Sequence, residues 1–81
     1  MYPKLTPDEI ERLTSMFLDE LCRRSIMTGS DCQELLRENK WNASAFGLNG
    51  HDVRDTVAHI CGFDVVEITR RGRSTNYLTI S

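Results

Sequence analysis

Three arginines in four positions, Arg70, Arg71 and Arg73 around Gly72, form the densest cluster of positive charge in the chain. Guanidinium groups grip phosphate and carboxylate through paired donors, and they fit narrow minor grooves. Gly72 lets the backbone approach whatever the arginines hold. Ser74, Thr75 and Asn76 follow at once and add neutral donors suited to phosphate oxygens. A charged hairpin tip also serves solubility and protects a sheet edge. The clustering favours binding over that plainer use.

Other chemistry is thin. His51 and His59 lie eight positions apart with Cys61 close behind, but this spacing matches no zinc pattern, and no metal is expected. There is no glycine-rich phosphate loop, no nucleophile elbow and no identifiable pair of catalytic carboxylates. Neither catalytic activity nor a cofactor is expected. Cys22, Cys32 and Cys61 are odd in number and sit in apolar or helical surroundings. They read as reduced core thiols of a cytoplasmic protein.

The elements that must carry the arginines come next. Residues 50 to 62 predict a helix with Val53, Val57, Ile60 and Cys61 on one stripe, capped by Asn49 and closed by Gly62. Its outward face should hold His51, Asp52, Arg54, Asp55, Ala58 and His59. Arg54 is the one firm cation there, against two carboxylates. Residues 64 to 70 alternate as a strand, and residues 76 to 81 return as a second. With residues 71 to 75 as the turn, Ile68 faces Leu78 and Val66 faces Ile80, which places both apolar pairs on one face. Such a hairpin needs a body to pack against.

The first half of the chain supplies that body. Thr6, Pro7 and Glu9 form a capping box with proline at the first helical position, and Leu5 and Ile10 are spaced as a staple. The helix should reach Arg24 or Ser25, with Ile10, Leu13, Phe17 and Leu21 inward. Ile26, Met27 and Thr28 form a short apolar link. Ser30 and Gln33 repeat the capping-box spacing and predict a short helix from Asp31 to about Asn39, with Leu35 and Leu36 inward. Trp41, Phe46 and Leu48 in the next connection suggest that it folds back through a helical turn near Ser44 to Phe46. The predicted core is Ile10, Leu13, Phe17, Leu21, Leu35, Leu36, Val53, Val57, Ile60, Val66, Ile68, Leu78 and Ile80.

Composition sets the limits. The 81 residues are 40% hydrophobic and 27% charged, which suits one small globular domain over residues 1–81. The net charge is −2, which argues against a general nucleic-acid coat. The charge is uneven. Residues 1 to 40 hold eight acids and six bases, whereas residues 69 to 81 hold three arginines and no acid. No apolar run suggests a membrane span, and the polar start does not read as a signal peptide.

The fold class is therefore α+β, three helices with a C-terminal β-hairpin. The chain resembles the winged-helix family, a variant of helix-turn-helix, from Thr6 to Ile80. The resemblance rests on element order, on Ile26-Met27-Thr28 at the place of the family's short first strand, and on Arg70-Arg71-Gly72-Arg73 at the place of its wing. The connection between the second and third helices is longer than the compact family turn. The resemblance implies a third helix in the major groove and a wing on the backbone or minor groove of duplex DNA. The residues it assigns to nucleic-acid or partner contact are Arg70, Arg71, Arg73, Arg54, His51, Ser74 and Asn76.

Two functions follow. One is a small DNA-binding transcription regulator, acting as a homodimer. The other is a protein-binding module on the same scaffold, similar to phage or mobile-element inhibitors such as anti-CRISPR proteins, directed at a host nucleic-acid machine. The acidic third helix favours the second, and the arginine tip favours the first.

Overall fold

The computed structural model describes residues 2–80. The elements run α1 (Pro7–Arg24), β1 (Ile26–Met27), α2 (Gly29–Glu38), a 3-10 turn (Ala43–Ala45), α3 (Gly50–Cys61), β2 (Asp64–Arg70) and β3 (Arg73–Thr79). The strands form one antiparallel sheet in the order β1-β3-β2. This is the α+β arrangement of three helices and a C-terminal hairpin, with β1 as a third strand.

α1 begins as its sequence dictates. The Thr6 hydroxyl accepts from Glu9 N–H at 3.1 Å, and the Glu9 carboxylate accepts from Thr6 N–H at 2.9 Å. These bonds from Thr6 hold the Glu9 carboxyl below its ordinary range. The basic end of the helix, Arg23 and Arg24, pairs with Glu20. α3 is likewise capped by Asn49, whose side-chain Oδ1 accepts from Asp52 N–H at 3.0 Å, and ends on Gly62 in the left-handed region.

The start of α2 differs from expectation. The cap is Thr28, not Ser30. Its hydroxyl accepts from Asp31 N–H at 3.1 Å, and the Asp31 carboxylate accepts from Thr28 N–H at 3.0 Å. This earlier box prevails for two reasons. Asp31 also reaches the Arg24 guanidinium at 2.9 Å, which ties α2 to the end of α1. Gly29 then enters the first turn, where a Cβ would lie 2.3 Å from the Gly50 carbonyl oxygen. The first turns of α2 and α3 touch backbone to backbone, which only hydrogen at that position permits.

The hairpin also differs. The turn is two residues, Arg71 and Gly72, with φ of 52° and 77°, and Arg70 pairs with Arg73. Positive φ at both turn positions matches the twist of the flanking strands. A five-residue loop would have left the backbone of residues 73 to 75 outside the ladder. Ile68 therefore faces Thr75, Val66 faces Tyr77, and Val65 faces Leu78. Leu78 is fully buried on the helix side, where Met27 is its other partner. Val66 and Ile68 stand on the opposite face with Tyr77 and Ile26, by the period of two.

The core is accordingly Leu13, Phe17, Leu21, Met27, Cys32, Leu36, Ala43, Phe46, Val53, Val57, Ala58 and Leu78. Leu35 and Ile60 pack against it half-buried. Ile10 and Ile80 are exposed at 36% and 40%, and Val66 and Ile68 lie outside the cluster. The connection after α2 does fold back, through the 3-10 turn. Phe46 is buried and meets Trp41 edge to face at 6.1 Å. Leu48 does not follow them and is 92% exposed.

Candidate partner-binding surface

The hairpin tip is built by its turn. Arg70 and Arg73 are cross-strand partners at the last rung of the ladder, and Arg71 occupies the turn itself. Opposed residues share a face, so Arg70 and Arg73 project on the side away from the helices. All three are exposed, and none forms an ion pair among the described residues. Ser74 is exposed beside them and shares a 2.9 Å hydrogen bond with Thr69 across the ladder. The tip thus presents three fixed positive charges on a hydrogen-bonded ribbon.

Arg54 is elsewhere in both position and role. The expectation of an outward cation on α3 is corrected, because Arg54 is only 6% exposed. Its Nε and one terminal nitrogen donate to Asp55 Oδ1 at 3.0 and 2.9 Å. The other terminal nitrogen donates to the Asn76 backbone oxygen at 3.4 Å and lies 3.4 Å from His51 Nδ1. The long side chain reaches the middle of β3 and fastens α3 to it. Ala58, also expected to face outward, is buried at 8%.

The assigned residues therefore fall into two groups. His51, Arg54 and Asn76 meet where the first turns of α2 and α3 approach the middle of β3, lining a cleft of about 260 Å³ with Ser30, Asn49 and Thr75. Arg70, Arg71, Arg73 and Ser74 sit at the far end. Asn76 is three steps along the strand from Arg73, about 10 Å of extended chain. The exposed face of α3 is left with His51, Asp52, Asp55 and His59. His59 stacks on Tyr2 with ring centroids 4.4 Å apart.

Sequence reasoning missed Asp55 as the partner of Arg54. The signal was their adjacency in sequence, which periodicity alone does not weigh. It also missed Leu48, which borders a groove with Tyr2, Pro3, Phe46 and Asp55.

No group of three or more metal-ligating side chains forms among the described residues, and His51 and His59 are engaged separately. The thiols are free but unlike one another. Cys32 is buried, and desolvation pushes its thiol up to about 12, so it stays protonated and inert. Burial also raises Cys61, against a hydrogen bond with Thr14. Cys22 is exposed and is not a core thiol. Among the described residues, no helix is long and apolar enough to cross a membrane.

No family model, no curated protein and no solved structure matches the chain.

Proposed function

We propose that the chain is a winged-helix-type module that binds a protein partner, with the β2–β3 hairpin as its wing and Arg70, Arg71 and Arg73 as its contact with acidic groups on that partner. The observation that carries this reading is the burial of Arg54. A major-groove reader brings cations to a surface of dense negative charge. Here α3 exposes Asp52 and Asp55 and holds its only arginine in an internal pair. The net charge of −2 points the same way. In this reading the partner is part of a host nucleic-acid machine, in the manner of a phage-encoded inhibitor.

One feature favours the second reading, a DNA-binding regulator. Three exposed arginines on a narrow ribbon suit phosphate or a minor groove as well as carboxylate. In that case the wing supplies affinity and α3 little sequence preference.

Titration of mixed-sequence duplex DNA at low and physiological salt separates the two. The protein reading expects no binding even at low ionic strength, where attraction to phosphate is strongest. Low-salt binding that falls with a slope of about two to three in log K against log salt overturns it and establishes the wing as a DNA contact.

A further inference from the structure

β2 is the outer strand of the sheet, and its far edge pairs with no strand among the described residues. It runs seven residues, Asp64–Arg70, in unbroken register with β3 and without a bulge. Its protective devices are three charged side chains, Asp64, Glu67 and Arg70. The strand contains no proline, lysine or glycine, and it is not short. The turn fixes which backbone groups are free. Arg70 and Arg73 close a two-residue turn and so form a hydrogen-bonded pair, as do every second pair after them. The N–H and C=O groups of Val65, Glu67 and Thr69 therefore point outward from the sheet.

The strand is complementary to itself when reversed. Laid antiparallel to a second β2 with Glu67 on the two-fold axis, all seven residues find partners. Asp64 then faces Arg70 of the other copy, twice. Val66 faces Ile68, twice, and Val65 faces Thr69, twice. The outward backbone groups at 65, 67 and 69 meet their own kind, as hydrogen-bonded rungs require. Moving the centre to Val66 or Ile68 shortens the overlap and sets Asp64 or Arg70 against an apolar residue. The half-buried outer strip of Ile26, Tyr77, Val66 and Ile68 would continue into the copy's strip.

We infer that the open edge of β2 is a docking strand for a second copy of this chain, paired antiparallel about Glu67 into a six-stranded sheet with two reciprocal Asp64–Arg70 bridges. Glu67 facing Glu67 opposes the pairing and keeps the association weak and reversible. The bridges draw on Arg70 of the tip, so the test reads self-association of the chain alone, with no other partner present.

The test is sedimentation equilibrium of the purified chain from micromolar to millimolar concentration, with circular dichroism confirming the fold of each variant. The wild type forms a reversible dimer. Asp64→Arg turns both bridges into repulsions and weakens the dimer about ten-fold. Adding Arg70→Asp to it restores the bridges in reversed polarity and returns the affinity to within roughly three-fold of wild type. Glu67→Pro removes an outward N–H, leaves the β3 ladder intact, and abolishes the dimer. Glu67→Gln tightens it roughly three-fold. A monomer throughout the range overturns the proposal. A dimer that survives Asp64→Arg and Glu67→Pro also overturns it, because its interface then lies elsewhere. Failure of the double variant to restore pairing overturns the register.

Discussion

α3 and the β2–β3 hairpin carry four arginines between them, and the fold uses them in opposite ways. Arg54 is buried, pairs with Asp55 and reaches the Asn76 carbonyl. Arg70, Arg71 and Arg73 are exposed and unpaired among the described residues. The residue type is the same, so surroundings make the difference. A helix lying on a sheet covers its flanks with long side chains whose stems are apolar. A two-residue turn beyond the edge of the body has nothing to cover. A cation engaged inside the fold acts on stability, and one at the tip is left for association.

That comparison is measured against the core shared by both regions. Phe17 is fully buried in one cluster with Val53 and Val57 of α3 and Leu78 of β3. Phe17→Ala should cost about 3–5 kcal/mol, the largest loss of any single change considered. Denaturant midpoints at unchanged slope would report it. A loss below about 1 kcal/mol would show that the helices do not share this core.

Arg54→Ala tests the internal side of the comparison. It removes a hydrogen bond between α3 and β3 and the packing of a long stem, and should destabilise by about 1–3 kcal/mol. Asp55 is left in solvent, with its side chain 59% exposed, so no buried charge is stranded and the loss stays moderate. A neutral result in the same denaturant assay would make Arg54 a surface group and reopen α3 to duplex DNA.

The hairpin also shows what a sequence can and cannot carry. α1, its capping box, α3 and the ends of β2 were legible because each rests on local signals a few residues apart. The register was not. Apolar pairing of Ile68 with Leu78 and Val66 with Ile80 is attractive by pattern, but the turn decides register, and Arg71-Gly72 demands two residues. The cap of α2 was misplaced because Thr28 and Ser30 both begin the same spacing. Only Arg24 and Gly50, distant in sequence, choose between them. Burial of Arg54 depends on its approach to Asn76 in the middle of β3, again a tertiary fact. The exposure of Arg70, Arg71 and Arg73 at the tip was legible, since it depends on no packing.

The α2 cap gives a smaller prediction. Thr28→Ala should cost about 1 kcal/mol. Burial works against the Asp31 carboxylate, but bonds from Thr28 and the Arg24 charge outweigh it and hold Asp31 below its ordinary value of 3.8. A depressed carboxyl stabilises the fold above its unfolded value and loses that contribution as pH falls through the folded one. Asp31→Asn should therefore be less stable than wild type above pH 3.8, with the gap closing on further acidification. A gap that is constant with pH would show that Asp31 acts by shape alone.

The smallest effect on stability belongs to the tip, and it is the most informative. Arg71 and Arg73 touch no acidic partner in the fold, so replacing both by Ala should leave the unfolding midpoint within about 0.5 kcal/mol of wild type. Association should suffer instead. Against an acidic protein surface, exposed charges steer encounter, so the double variant should slow association more than it speeds dissociation, with the difference fading at high salt. Against duplex DNA it should weaken binding to all sequences about equally and flatten the salt slope by about two. Parallel Arg54 variants sharpen the contrast. Arg54→Lys keeps the charge but loses the forked pairing with Asp55, so it should lower stability and leave the kinetics at the tip unchanged. If Arg54→Lys instead changes sequence preference on DNA while stability holds, the internal arginine is the reader and the division of labour between the two regions is reversed.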